Sequence, residues 1–112
     1  MENLNEEFKG RLNFLADEIY IANALKGFWE DDRGTPECIA LMHSELSEAL
    51  EADRKDLMDD KLPHRKGVEV ELADCMIRIL DYCGRHQLDI AGAIEEKLQY
   101  NNTRPHKHGK SY

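Results

Sequence analysis

The stretch 39-IALMHSELSEALEA-52 decides how this chain is read, because its apolar residues recur at helical spacing while two acids sit at the margin of the apolar face. At roughly 100° per residue, Ile39, Met42, Leu46, Ala49 and Leu50 share one arc, with Leu41 and Ala52 farther round. Glu45 falls between the two groups, and Glu48 lies one turn beyond it. A helix suited to burial thus carries two carboxylates where water is scarce, and something must account for them.

Outward from this segment, the helical pattern continues in both directions. Leu4, Phe8, Leu12, Leu15, Ile19, Ala22 and Leu25 predict an amphipathic helix over residues 3–25, ended near Gly27. The segment 27-GFWEDDRGT-35 has two glycines and a charge cluster, and reads as a loop. In 35-TPE-37, Thr35 is the expected N-cap, with Pro36 at the first helical position and Glu37 favourable to the helix dipole. The second helix is expected to reach about Lys55, followed by the polar connection 54-RKDLMDDKLPHRKG-67 with its Pro63.

A third helix is predicted from about Val68 to His86, with a break near Gly84. Val68, Val70, Leu72, Ala73, Cys75, Met76, Ile77, Ile79 and Leu80 cover most of its circumference, which leaves one polar stripe of Glu71, Asp74, Arg78 and Asp81. A helix apolar on most sides is largely buried, so the stripe is expected to face something specific. Asp89 is the expected cap of a fourth helix with Ile90, Ile94 and Leu98 as its stripe, stopped by Pro105. No alternating pattern supports a strand. The expected fold is therefore all-α, a single domain over residues 1–112 built as a four-helix bundle.

Composition limits the partners. The chain has 112 residues, 34% charged and 41% hydrophobic, with a formal net charge of -8. That charge disfavours nucleic acid, since phosphate backbones are held by Lys and Arg. No apolar run long enough to span a membrane is present. The acidic start MENLNEEFKG lacks the order of a secretory signal, so a cytoplasmic location is expected. Cys38, Cys75 and Cys83 show no metal-binding spacing and are expected to be reduced packing residues. The basic stretch 103–112 is expected to be mobile in the absence of ligand.

Taken singly, Glu45/Glu48 or Glu71/Asp74 is the kind of solvated acidic pair found at the edge of many helices. Two such pairs on helices that a short connection can make antiparallel are a stronger signal. Four facing carboxylates repel unless cations lie between them, and oxygen ligands of this kind select Mg²⁺ or Mn²⁺ over zinc. A ferritin-type di-iron site requires Glu three residues before a His, which none of the five histidines has.

The pair 43-HSELSEALEA-52 and 69-EVELADCMIRILDYCG-84, with Glu71 23 positions after Glu48 and a Lys97-x-x-x-Asn101-x-x-Arg104 ending, resembles the MazG-like family of all-α nucleoside triphosphate pyrophosphohydrolases. The resemblance extends from 23-NALKGFWED-31 through 96-EKLQYNNTRPHKHGK-110. It implies metal-dependent cleavage between the α and β phosphates, with Glu45, Glu48, Glu71 and Asp74 as Mg²⁺ ligands and a homodimer or homotetramer completing the bundle. Many relatives carry a further Glu where this chain has Ser44, so the group that activates water stays open, with Glu48 the first choice and Glu45 the second.

Lys97, Asn101 and Arg104 share a helical face and are the expected phosphate ligands. Trp29 is the expected stacking partner for a nucleobase, with Asn23 and Lys26 beside it, although a lone Trp is more often a core residue. Two alternatives remain: the related phosphoribosyl-ATP pyrophosphohydrolase, and a helical dimerisation module that binds nucleotide without turning it over.

Overall fold

A computed structural model describes residues 4–105, and all secondary structure in them is helical apart from one isolated bridge between Met58 and Lys66. The helices are α1 (Glu6–Leu25), α2 (Thr35–Arg54), α3 (Gly67–His86) and α4 (Ile90–Asn102). None of those described is long and apolar enough to cross a membrane. Of the basic tail expected at 103–112, residues 106–112 lie outside the described residues.

Local chemistry explains the boundaries. Asn5 caps α1 by accepting from the N–H groups of Glu7 and Phe8, at 2.7 and 3.2 Å, which places its start later than the apolar pattern suggests. Gly27 at φ +89° lets the chain leave the helix. At α2 the expected cap is corrected: Gly34 occupies that position without a side-chain bond, and Thr35 is already helical, its hydroxyl 2.7 Å from the Tyr82 hydroxyl of α3. Asp89 caps α4 as expected, through the Gly92 N–H at 2.9 Å.

The expected break at Gly84 is also corrected. α3 runs unbroken to His86 and ends with Gln87 in the left-handed conformation at φ 54°. Gly84 is there because α1 lies against it: a Cβ at this position would collide with the Ala16 carbonyl oxygen and stand 2.7 Å from Tyr20 Cβ. Gly67 plays a similar part at the other end, where a Cβ would be 2.9 Å from Ala52 Cβ of α2.

α3 is the central helix, flanked by α1 and α2. The contacts Ala16–Gly84 and Asn23–Asp81 make α1 antiparallel to it. Those from Thr35–Tyr82 through Cys75–Met42 to Ala52–Gly67 do the same for α2. α4 returns along α1, joined by the Lys9–Glu95 ion pair at 2.9 Å. The core of Ala16, Leu80 and Cys83, with Leu12, Ile19, Ile79 and Ile90 around it, lies between α1, α3 and the start of α4. Cys38, Cys75 and Cys83 are all buried and unpaired, as expected.

Candidate metal centre and adjoining cleft

The antiparallel arrangement of α2 and α3 brings together acids that are 26 to 29 residues apart in sequence. One carboxylate oxygen from each of Glu45, Glu71 and Asp74 lies within 4.8 Å of the others. Glu45 is buried, and Glu71 and Asp74 are partly buried. Desolvation dominates the electrostatics: burial first, then the carboxyls of Glu48 and Glu45, pushes the Glu71 pKa up to about 7. Burial likewise raises Asp74, aided by Glu45 and Asp59 and opposed by Arg78. Glu71 Oε2 is buried with no hydrogen-bond partner. Three converging carboxylate oxygens of this kind could hold a hard divalent cation.

Glu48 stands differently from its expected role as a ligand. It is exposed and beside Glu71, but outside the compact trio. It lines a shallow hollow with Glu71, Asp59 and Gly67. Asp59, buried in the 54–67 connection, accepts from the N–H groups of Lys61 and Leu62 at 2.9 and 2.7 Å and so is committed to shaping that loop.

A larger cleft of about 480 Å³ opens beside the trio, lined by Asn23 and Phe28 on one side and by Leu41, Glu45, Asp74 and Ile77 on the other. Arg33, Arg78 and Asp81 complete it. Asp81 is fully engaged: Oδ1 accepts from Trp29 Nε1 and Oδ2 from Asn23 Nδ2, both at 2.9 Å. This double bond ties the 26–34 loop and the end of α1 to α3, and it makes the loop a wall of the cleft.

Trp29, the expected stacking partner of a base, is buried in this structure. Its ring is 8% exposed, edge-on to Tyr20 and His86, with the Arg33 and Arg85 guanidinium groups 5.5 and 5.1 Å from its centroid. No base can stack there without opening the loop. Its neighbour Phe28, 50% exposed and lining the cleft, is the accessible ring. Asn23 does line the cleft, whereas Lys26 is the exposed C-cap of α1 and does not.

Of the three expected phosphate ligands, Lys97 and Asn101 lie on α4 while Arg104 falls beyond its end, with Lys97 Nζ 4.8 Å and Arg104 Cζ 5.7 Å from the Tyr100 ring centroid. They line neither the cleft nor the hollow of this chain, because α4 packs on α1, away from α2. The cations that do line the cleft are Arg33 and Arg78. Arg78 was legible as part of the α3 polar stripe, while Arg33, in a charge-rich loop, carried no distinguishing signal.

Compared with protein families, curated proteins and solved structures, the chain has no match in any of the three.

Proposed function

We propose that this chain is a Mg²⁺-dependent pyrophosphohydrolase of nucleoside or deoxynucleoside triphosphates, yielding the monophosphate and pyrophosphate. The observation that carries the reading is the Glu45/Glu71/Asp74 trio, two of whose members, Glu45 and Asp74, line a cleft large enough for a nucleotide while Glu71 lines the adjoining hollow. Glu45, Glu71 and Asp74 would hold the cation. When bound, Mg²⁺ or Mn²⁺ supplies charge neutralisation for the polyphosphate and acidifies water. Glu48, outside the trio but beside it, is the proposed proton acceptor for the attacking water. Phe28 takes the stacking role in place of Trp29.

We further propose that the working unit is a homo-oligomer. Ile39, Leu46 and Leu50 recur along one side of α2, and Leu72 and Met76 along one side of α3, all of them exposed in the single chain. A second copy would cover them. Lys97, Asn101 and Arg104 join the phosphate ligands only if such a partner delivers them to the cleft.

The test is release of pyrophosphate from a panel of ribo- and deoxynucleoside triphosphates with Mg²⁺, with Mn²⁺ and with chelator. Metal-dependent release is expected, together with its loss in Glu45→Gln and Asp74→Asn variants that remain folded, because neutralising clustered acids relieves repulsion in the metal-free protein. Near-normal turnover in either variant would remove the metal site. Including phosphoribosyl-ATP separates the related activity, and tight nucleotide binding without release would favour the non-catalytic module.

A further inference from the structure

We infer that Arg78 serves two partners in succession, first as the resting counter-ion of Glu45 and then, with Arg33, as the phosphate grip of the cleft once a divalent cation has taken over the Glu45 charge. This rests on the metal-dependent reading above and adds an anion subsite and an order of binding to it.

The ion pair that motivates it is lopsided. Arg78 Nε lies 3.2 Å from Glu45 Oε1, yet the Glu45 side chain is 10% exposed and that of Arg78 is 38% exposed. The carboxylate is fixed in the helix interface while the guanidinium sits at the rim of the cleft. The bond from Nε is the one hydrogen bond this guanidinium makes among the described residues, so both terminal nitrogens are left for another acceptor. Arg33, which also lines the cleft, donates to the Phe28 carbonyl and lies 3.9 Å from Glu37 and 5.5 Å from the Trp29 centroid. Asp81, the remaining acid of the cleft, already accepts from Trp29 and Asn23.

Charge accounting then sets the sequence of events. In the metal-free chain Arg78 offsets a buried carboxylate that would otherwise stand unpaired. A cation bound by Glu45, Glu71 and Asp74 competes with Arg78 for the charge of the Glu45 carboxylate. The released guanidinium is then a planar, two-pronged donor in a cleft that has just gained positive charge, which is the setting that favours a polyphosphate. Binding of the anion before the cation is disfavoured, because the acid cluster repels it and the Arg78 charge is still offset by Glu45.

The experiment follows Mn²⁺ binding by the paramagnetic signal of the free ion, then calorimetric binding of inorganic tripolyphosphate to the Mn²⁺-loaded protein. Arg78→Gln is expected to bind Mn²⁺ about threefold more tightly, having lost the competing charge. The same variant should bind tripolyphosphate roughly tenfold more weakly. Arg78→Lys, which keeps the charge but not the fork, should restore the native Mn²⁺ affinity and still bind tripolyphosphate weakly. Arg33→Gln should weaken only the anion, and it keeps the anion subsite testable if Arg78→Gln fails to fold. Arg11→Gln, the same charge change at an exposed pair with Glu7, should alter neither.

Native tripolyphosphate affinity in Arg78→Gln would overturn the inference and leave Arg78 a purely structural partner. So would unchanged Mn²⁺ affinity. A native chain that neither binds Mn²⁺ nor releases pyrophosphate would overturn the underlying reading as well, so the two failures are distinguishable.

Discussion

Glu71 concentrates the electrostatic tension of the site in one side chain. Its carboxyl titrates near 7 because burial and the neighbouring Glu48 and Glu45 oppose its charge. A folded-state value above the ordinary 4.5 means that the native chain holds its proton more tightly than the unfolded chain. The stabilisation this gives the metal-free protein is complete below the unfolded value and is lost as pH rises from about 4.5 towards 7. Asp74, raised for the same first reason, acts in the same direction. The melting temperature of the metal-free protein is therefore expected to fall across this window, and Glu71→Gln should flatten the fall. Added Mg²⁺ should reverse it, and at or below about pH 7, where Glu71 still holds its proton, binding should release that proton, measurable by calorimetry in buffers of different ionisation enthalpy. A melting temperature that rises with pH between 5 and 7 in the metal-free protein would contradict this account.

Among the elements, α3 carries the most information. Its polar stripe supplies two of the three trio acids and two cleft residues, while its other faces meet α1 and α2. Gly84 shows why a glycine within a helical pattern is ambiguous: intrinsic propensity points to a break, but close approach of the Ala16 backbone makes the absence of a Cβ a packing requirement. Gly84→Ala is accordingly expected to destabilise the chain by about 1–3 kcal/mol despite alanine's better helix propensity, because overpacking exceeds that gain. The checking measurement is thermal unfolding, with a fall of roughly 4 °C or more. A rise would show that α1 does not press on α3 at this point.

At the scale of the whole molecule, the single chain buries few large side chains among the described residues, and none of them fully. Its core is mostly Ala and Cys, with Leu80 and Trp29 the large exceptions, while Leu50, Leu72 and Met76 stand in solvent. So small a core is marginal for a domain of this length, and covering the outer face of α2 and α3 would supply the missing burial. Light scattering is expected to give a mass two or four times that of one chain. Leu50→Asp or Met76→Lys should shift it towards the monomer with a lower melting temperature. A native protein that is monomeric at micromolar concentration would refute the homo-oligomer.

The helices and most of their ends were legible in the sequence, because apolar spacing, Asp89 and the glycine after α1 act through local geometry. The acid pairs were legible for the same reason, since positions three apart share a helical face. What the tertiary structure decided was which acids converge: Glu45 meets Glu71 and Asp74 in the α2–α3 interface, whereas Glu48, on the same side one turn on, lies exposed beside Glu71 and outside the trio. It also decided that Trp29 is locked beneath the loop by Asp81 while Phe28 lines the cleft, and that α4 lies on α1 rather than over the acids. Sequence periodicity fixes the angle of a side chain about its own helix axis. The neighbour it meets at that angle depends on contacts between residues far apart in the chain, which periodicity does not encode.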